Sequence, residues 1–202
     1  MRALTIILAF ASALLFIAAC THQGANVEPA VVRSYSFEET PPELVGYRDK
    51  AKGAFQSVGN RLIPRLTTAL SEGGPVEAVK VCREVAQPLT DEAGREVGFA
   101  VGRTSHKLRN PANAPRDWIK QLVADSAGKK GAEVKPMLFD LGDRVGVASP
   151  IVAVEMCVQC HGTDEQLKPE VSQILAKQYP DDKARGFAPG DLRGWFWAEL
   201  PK

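Results

Sequence analysis

Val134-Lys135-Pro136-Met137-Leu138-Phe139-Asp140-Leu141-Gly142-Asp143-Arg144-Val145-Gly146-Val147-Ala148-Ser149-Pro150-Ile151-Val152-Ala153-Val154 reads as two strands, 134–141 and 144–154, joined at Gly142-Asp143. A two-residue turn rich in Gly and Asp between apolar runs is a hairpin signal, because it supplies the positive φ that a tight turn demands. The two strands are therefore antiparallel neighbours. Upstream, residues 96–105 alternate apolar and polar positions and read as a third strand; downstream, residues 192–200 follow the Pro189-Gly190-Asp191 turn and read as another. Helical periodicity fills the gaps. Phe55, Val58, Leu62, Leu66 and Ala69 predict a long amphipathic helix over 44–70, kinked or split near Pro64 and ended by Gly73-Gly74. A second helix covers 75–86, a third starts at Pro115 and ends near Gly128, and a fourth runs over 164–179. There is no internal repeat. Hairpins and helices without strict strand–helix–strand units place the chain in the α/β class, of the α+β kind, with an antiparallel sheet flanked by helices.

The hairpin runs straight into Cys157-Val158-Gln159-Cys160-His161. A C-x-x-C-H run is the attachment signature of a c-type haem. Two cysteines three apart put both sulfurs on one face of a turn, where they can add to the haem vinyl groups, and the next residue brings an imidazole to the iron. A redox-active thiol pair needs no adjacent histidine. A zinc site needs a second pair of ligands, which His22, His106 and Cys82 scarcely offer. The expected cofactor is one covalent haem c, attached through Cys157 and Cys160 and ligated by His161.

The compartment agrees with that chemistry. Residues 1–19 combine Arg2, an apolar run from Leu4 to Ala19 and small residues at the end, which describes a secretory leader rather than a spanning helix. Ile17-Ala18-Ala19-Cys20 resembles the lipobox of bacterial lipoproteins, in which Cys20 is acylated and becomes the first residue. Thr21, not aspartate, follows it. Such lipoproteins usually proceed to the outer membrane, so a periplasmic, lipid-anchored protein is expected, held by acyl chains without a transmembrane helix. Residues 20–42 are polar, carry Pro29, Pro41 and Pro42, and read as a flexible tether; residues 43–202 form a single domain. Without Arg2 the chain has 24 basic and 24 acidic residues. That balance argues against a nucleic-acid partner. The partners expected are haem, the membrane through the lipid anchor, and an unidentified redox protein.

One thiol is left over. With Cys20, Cys157 and Cys160 assigned, Cys82 is unpaired in an oxidising compartment. Val76, Val79, Cys82 and Ala86 share one stripe of the 75–86 helix, so Cys82 points inward, either as a small buried hydrophobe or as a ligand. Residues 162–202 contain neither methionine nor histidine, so a second axial ligand from the protein must lie upstream. Met156 is held on the attachment side, Met137 alternates with core residues, and His22 lies in the tether. Cys82 and His106 remain.

Four separated motifs carry a family resemblance: Val81-Cys82, Gly102-Arg103-Thr104-Ser105-His106-Lys107-Leu108-Arg109-Asn110-Pro111-Ala112-Asn113, Glu155-Met156-Cys157-Val158-Gln159-Cys160-His161-Gly162, and Gly190-Asp191-Leu192-Arg193-Gly194. In this order, over residues 44–200, they are similar to the Tll-type c-haem domains, long held to be a domain of unknown function. The resemblance implies a PAS-like antiparallel sheet with a long N-terminal helix and one covalent haem, ligated by the histidine of the attachment motif and an upstream cysteine. That cysteine corresponds to Cys82, with His106 as the fallback. A thiolate pushes electron density onto iron and favours the ferric state, so this pair implies a low reduction potential. Low-potential electron transfer is the expected role; a redox or diatomic-gas sensor, in which Cys82 leaves the iron on reduction and a separate partner takes the signal, is the alternative. Arg103, Arg109, Arg193 and His106 are candidates for the haem propionates, with Lys107 a further cation of the same motif, and Trp195 is a candidate for the pocket or the core. No catalytic constellation or phosphate loop is present, and no enzymatic activity is expected.

Overall fold

The structure, a computed structural model, describes residues 33–202. The expected leader, the lipidation site Cys20, His22 and the first part of the tether lie outside the described residues. Five strands form one sheet: β1 (Arg33–Ser36), β2 (Ala100–Thr104), β3 (Met137–Asp140), β4 (Arg144–Val152) and β5 (Leu192–Pro201). Their order is β1-β3-β4-β5-β2, and every neighbouring pair is antiparallel. The helices are α1 (Val45–Glu84), α2 (Ala86–Val97), α3 (Asp117–Asp125), α4 (Glu155–His161) and α5 (Pro169–Gln178). The expected antiparallel sheet, flanking helices and long N-terminal helix are all present.

Side chains that alternate along the strands feed two cores. On one face Leu138, Val145, Val147, Ala198 and Leu200 meet Ala51, Ala54, Phe55 and Val58 of α1 and Ala93 of α2. On the other, Phe139, Ala148, Trp195 and Trp197 meet Trp118, Ile119 and Val123 of α3. The period of two thus divides β5 between two helical layers.

Three expectations need correction. The long helix keeps helical dihedrals through Pro64, where a kink or split was expected. They leave the helical region at Gly74, as the Gly73-Gly74 stop predicts, where φ is 69° and ψ −172°. The turn around Pro64 is exposed, so water can serve the carbonyl that proline leaves unbonded, whereas Gly74 adopts a conformation open essentially to glycine alone. The expected strand over 96–105 begins only at Ala100, because Ala86, Leu89, Thr90 and Ala93 bury one face of α2 and Gly98 (φ 75°) closes that helix by donating its N–H to the Gly94 carbonyl. Finally, residues 33–36 are not tether. They pair with β3 from Arg33↔Asp140 to Ser36↔Met137, and Tyr35 and Phe37, two apart on one face, pack against the α1-side core.

Candidate functional site

A cavity of about 630 Å³ opens between the sheet, both halves of α1 and the short helix α4. This is an ordinary size for a small-molecule or cofactor site. The first half of α1 supplies Leu62, Ile63 and Leu66, the second half Cys82, the sheet Arg103, Arg193 and Phe196, and α4 Met156, Cys157 and His161. The break at Gly74 brings both halves of one helix to the same space. Phe196 is held by a stacked contact with Phe55, ring centroids 5.4 Å apart. Gly194 lets β5 pass close to β2 beside the cavity: a Cβ there would lie 2.3 Å from the carbonyl oxygen of Thr104.

His161 is set up as a neutral ligand. Its Nδ1 lies 2.8 Å from the carbonyl oxygen of Ala184, an atom that can only accept, so the proton sits on Nδ1 and the lone pair of Nε2 is free. Burial holds its pKa well below the usual histidine value, and the charges of Arg193 and Arg109 push it the same way. Burial raises the Cys82 thiol pKa, partly offset by Arg109, Arg103 and Arg193. Coordination to a metal would deprotonate that thiol.

The two thiols of the C-x-x-C-H run are divided. Cys157 lines the cavity, and its Sγ accepts from the Val154 N–H at 3.4 Å, closing the first turn of α4. Cys160 instead turns toward the second half of α1, with Sγ 3.9 Å from the Pro75 carbonyl oxygen and Val79, Val171 and Leu175 around it. Burial pushes its pKa up to about 11.

The cationic candidates separate into two kinds. Arg109 is buried against Asp182, with side-chain exposures of 8% and 3%, and its Nη2 also donates to the Cys160 carbonyl at 2.6 Å. It is a clamp on α4 as well as part of the cavity wall. Arg103 and Arg193 have no acidic partner, and the buried Nε of each has no hydrogen-bond partner. Arg193 makes only a 3.4 Å contact to the Lys107 carbonyl and lies over the Phe187 ring. Burial, with Arg109 and Arg103 nearby, lowers its pKa to about 10. Two uncompensated buried guanidiniums are costly unless an anion meets them.

Two sequence candidates do not line this cavity. His106 stands edge-on to Phe187, centroids 5.7 Å apart, and Phe187 is in turn edge-on to His161 at 6.3 Å. Trp195 is on the α3 side of the sheet, 1% exposed, donating its indole N–H to Ser126 Oγ at 3.1 Å. It packs the core because it is one residue out of phase with Phe196. Met137 likewise packs against the α3-side core. Asp182, Ala184 and Phe187 were invisible in the sequence, where 180–189 reads as an undifferentiated polar loop with no periodicity. A second, open cleft of about 730 Å³ lies outside β2; its lining contains no cysteine or histidine. Among the described residues no cluster of three His, Cys, Asp or Glu could hold a bare metal ion, and no helix is long and apolar enough to cross a membrane.

The residues present fit an anionic, metal-containing planar cofactor. An apolar cavity holds a free Nε2, a thiol on a different helix, and two cations that lack anions.

A family model described as Tll0287-like matches residues 22–201. Among solved structures, the chain is similar to that of the cyanobacterial heme-protein Tll0287, at 25% identity and a TM-score of 0.57, over 81% of this chain and 98% of that one. No curated protein matches it.

Proposed function

This chain belongs to the Tll0287-like family, and from that membership and the chemistry of its cavity we propose that it is a haem protein whose cofactor lies between His161 and Cys82. The observation that carries the reading is His161 itself: a half-buried imidazole with Nδ1 committed to the Ala184 carbonyl, which leaves Nε2 to a metal, on the wall of the same cavity as an unpaired thiol. Cys157 and Cys160 would hold the haem covalently, each thiol S–H adding across a vinyl group. Arg103 and Arg193 would take the propionates, since among the described residues neither has an acidic partner and the buried Nε of each is unbonded. Arg109 is already engaged by Asp182. Bound haem supplies one-electron redox chemistry, and a thiolate opposite an imidazole keeps its potential low. Electron transfer without substrate turnover is the proposed activity. We further propose an exported protein anchored through acylated Cys20 on the periplasmic side of a membrane.

A second reading, a redox-responsive or gas-binding module, is favoured by one observation. Cys82 stands on the half of α1 beyond the break at Gly74, on a different element from His161, so it could leave the iron while His161 stays held by the Ala184 carbonyl; burial, which raises its thiol pKa, would favour the protonated form.

The test is the low-temperature EPR spectrum of the haem-loaded ferric protein beside Cys82→Ala. A low-spin thiolate-type signal lost in the variant is the expected result; identical spectra would remove Cys82 from the iron. Carbon monoxide added to the ferrous protein separates the two readings. A carrier with both ligands held gives no new Soret band, and a sensor gives one.

A further inference from the structure

We propose that Asp182 is the positioning residue for His161, fixing through Ala184 and Arg109 both the angle and the proton of its imidazole. The inference rests on the haem reading above and deepens it. The loop between α5 and β5 wraps the end of α4, and Asp182 sits inside it with its side chain 3% exposed. One carboxylate makes three bonds there. Oδ1 accepts the Ala184 N–H at 2.9 Å and Arg109 Nε at 3.2 Å, and Oδ2 accepts Arg109 Nη2 at 3.0 Å. Ala184 then offers its carbonyl to His161 Nδ1 at 2.8 Å. Arg109 offers Nη2 to the carbonyl of Cys160, the residue before His161, at 2.6 Å. The circuit is closed: Asp182 holds the acceptor of the imidazole proton on one side and the backbone that carries the imidazole on the other. Two backbone bonds, Phe187 N–H to the His161 carbonyl and Gly186 N–H to the Gly162 carbonyl, both 2.8 Å, keep loop and helix in register.

The carboxylate also restrains a competitor. Arg109 Nη2 lies 3.4 Å from the Ala184 carbonyl, a contact weaker than the one the imidazole makes with the same oxygen. Without Asp182 the guanidinium is free to swing onto that oxygen and displace the imidazole N–H. The outer hydrogen bond of a metal-bound histidine sets its tautomer and basicity, so its loss makes the imidazole a poorer donor. Arg185, 3.5 Å from Asp182 Oδ2, also faces this carboxylate, and Arg193 acts on it at longer range.

The full chain, matured with haem, is compared with Asp182→Asn and Asp182→Glu. Attached haem is counted first by pyridine haemochrome. Exchange of the His161 Nδ1–H in the ferrous protein is then followed by NMR, and the midpoint potential is measured. Both variants are expected to retain haem, to exchange that proton about tenfold faster or more, and to show a higher potential. Asp182→Glu decides the matter, because it keeps the charge and moves only the carboxylate; it also serves if Asp182→Asn does not fold. Wild-type exchange and potential in Asp182→Glu would overturn the positioning role while leaving the haem reading intact. Absence of attached haem in the wild-type protein would overturn the haem reading and this inference with it.

Discussion

Arg109 and Asp182 are each almost fully buried, and each is the other's counterion. Removing Arg109 leaves the buried carboxylate of Asp182 with the longer 3.5 Å contact to Arg185 in place of its bidentate partner, at a cost of up to about 3–5 kcal/mol. Arg109→Met is therefore expected to lower the unfolding free energy measured in urea by that amount, while the equivalent change at exposed Lys135, paired with Glu38 at the surface, changes it by less than about 1 kcal/mol. Asp191 sets a pH dependence. Its pKa is lowered, first by the Ala188 N–H and then by Lys130, so the native state binds its proton more weakly than the unfolded chain. The contribution is complete above the unfolded value near 3.9 and disappears as pH falls through the lower native value. Asp191→Asn should flatten the acid limb of urea midpoint against pH and leave the curve above pH 6 displaced but parallel. At this scale the sequence was partly legible. Arg103, Arg109 and Arg193 were all recognisable as cations of the site. Nothing local distinguished Arg109, whose acid lies 73 residues away, from the two that lack one.

At the scale of elements, two features decide what reaches the cavity. The first is the break at Gly74, whose dihedrals cost any other residue about 1–3 kcal/mol. Gly74→Ala is expected to lose that much stability in urea. It should also weaken or abolish the thiolate-type EPR signal of the loaded protein, since Cys82 rides on the half of α1 that the break redirects. The second is the phase of β5. Trp195 and Phe196 are neighbours in sequence and belong to opposite cores. Trp195→Leu should cost about 2–5 kcal/mol with an unchanged Soret band. Phe196→Leu, on the cavity side, should shift the band. The strands and the hairpin were legible because alternation and turn chemistry are local. The start of β2 was misplaced because Glu96 and Val97, both exposed, complete the last turn of α2, a helix held by the burial of Ala86, Leu89, Thr90 and Ala93 rather than by any local signal at 96–97.

At the scale of the molecule, the described residues form one sheet covered on both faces, with β1 added at an edge. β1 covers β3, and Phe37 continues the pairing by donating to the Pro136 carbonyl at 3.2 Å. Removing residues up to Ser36 would bare the β3 edge, and an uncovered edge pairs with other chains. The truncated protein should sediment as larger, concentration-dependent oligomers than the full chain, and an unchanged sedimentation profile would show that the edge is protected otherwise. The amino-acid sequence by itself determined the antiparallel sheet, its hairpin, the run of helices and the five contiguous residues of the attachment motif. Each depends on residues within a few positions of one another, where backbone geometry leaves few choices. The tertiary structure alone decided that Cys82 shares a cavity with His161, that Asp182 closes the circuit behind it, and that Trp195 and His106 stay outside. Those meetings depend on strand order, on the direction a helix takes after Gly74 and on which charges find partners when water is excluded, none of which is written in any local stretch of the chain.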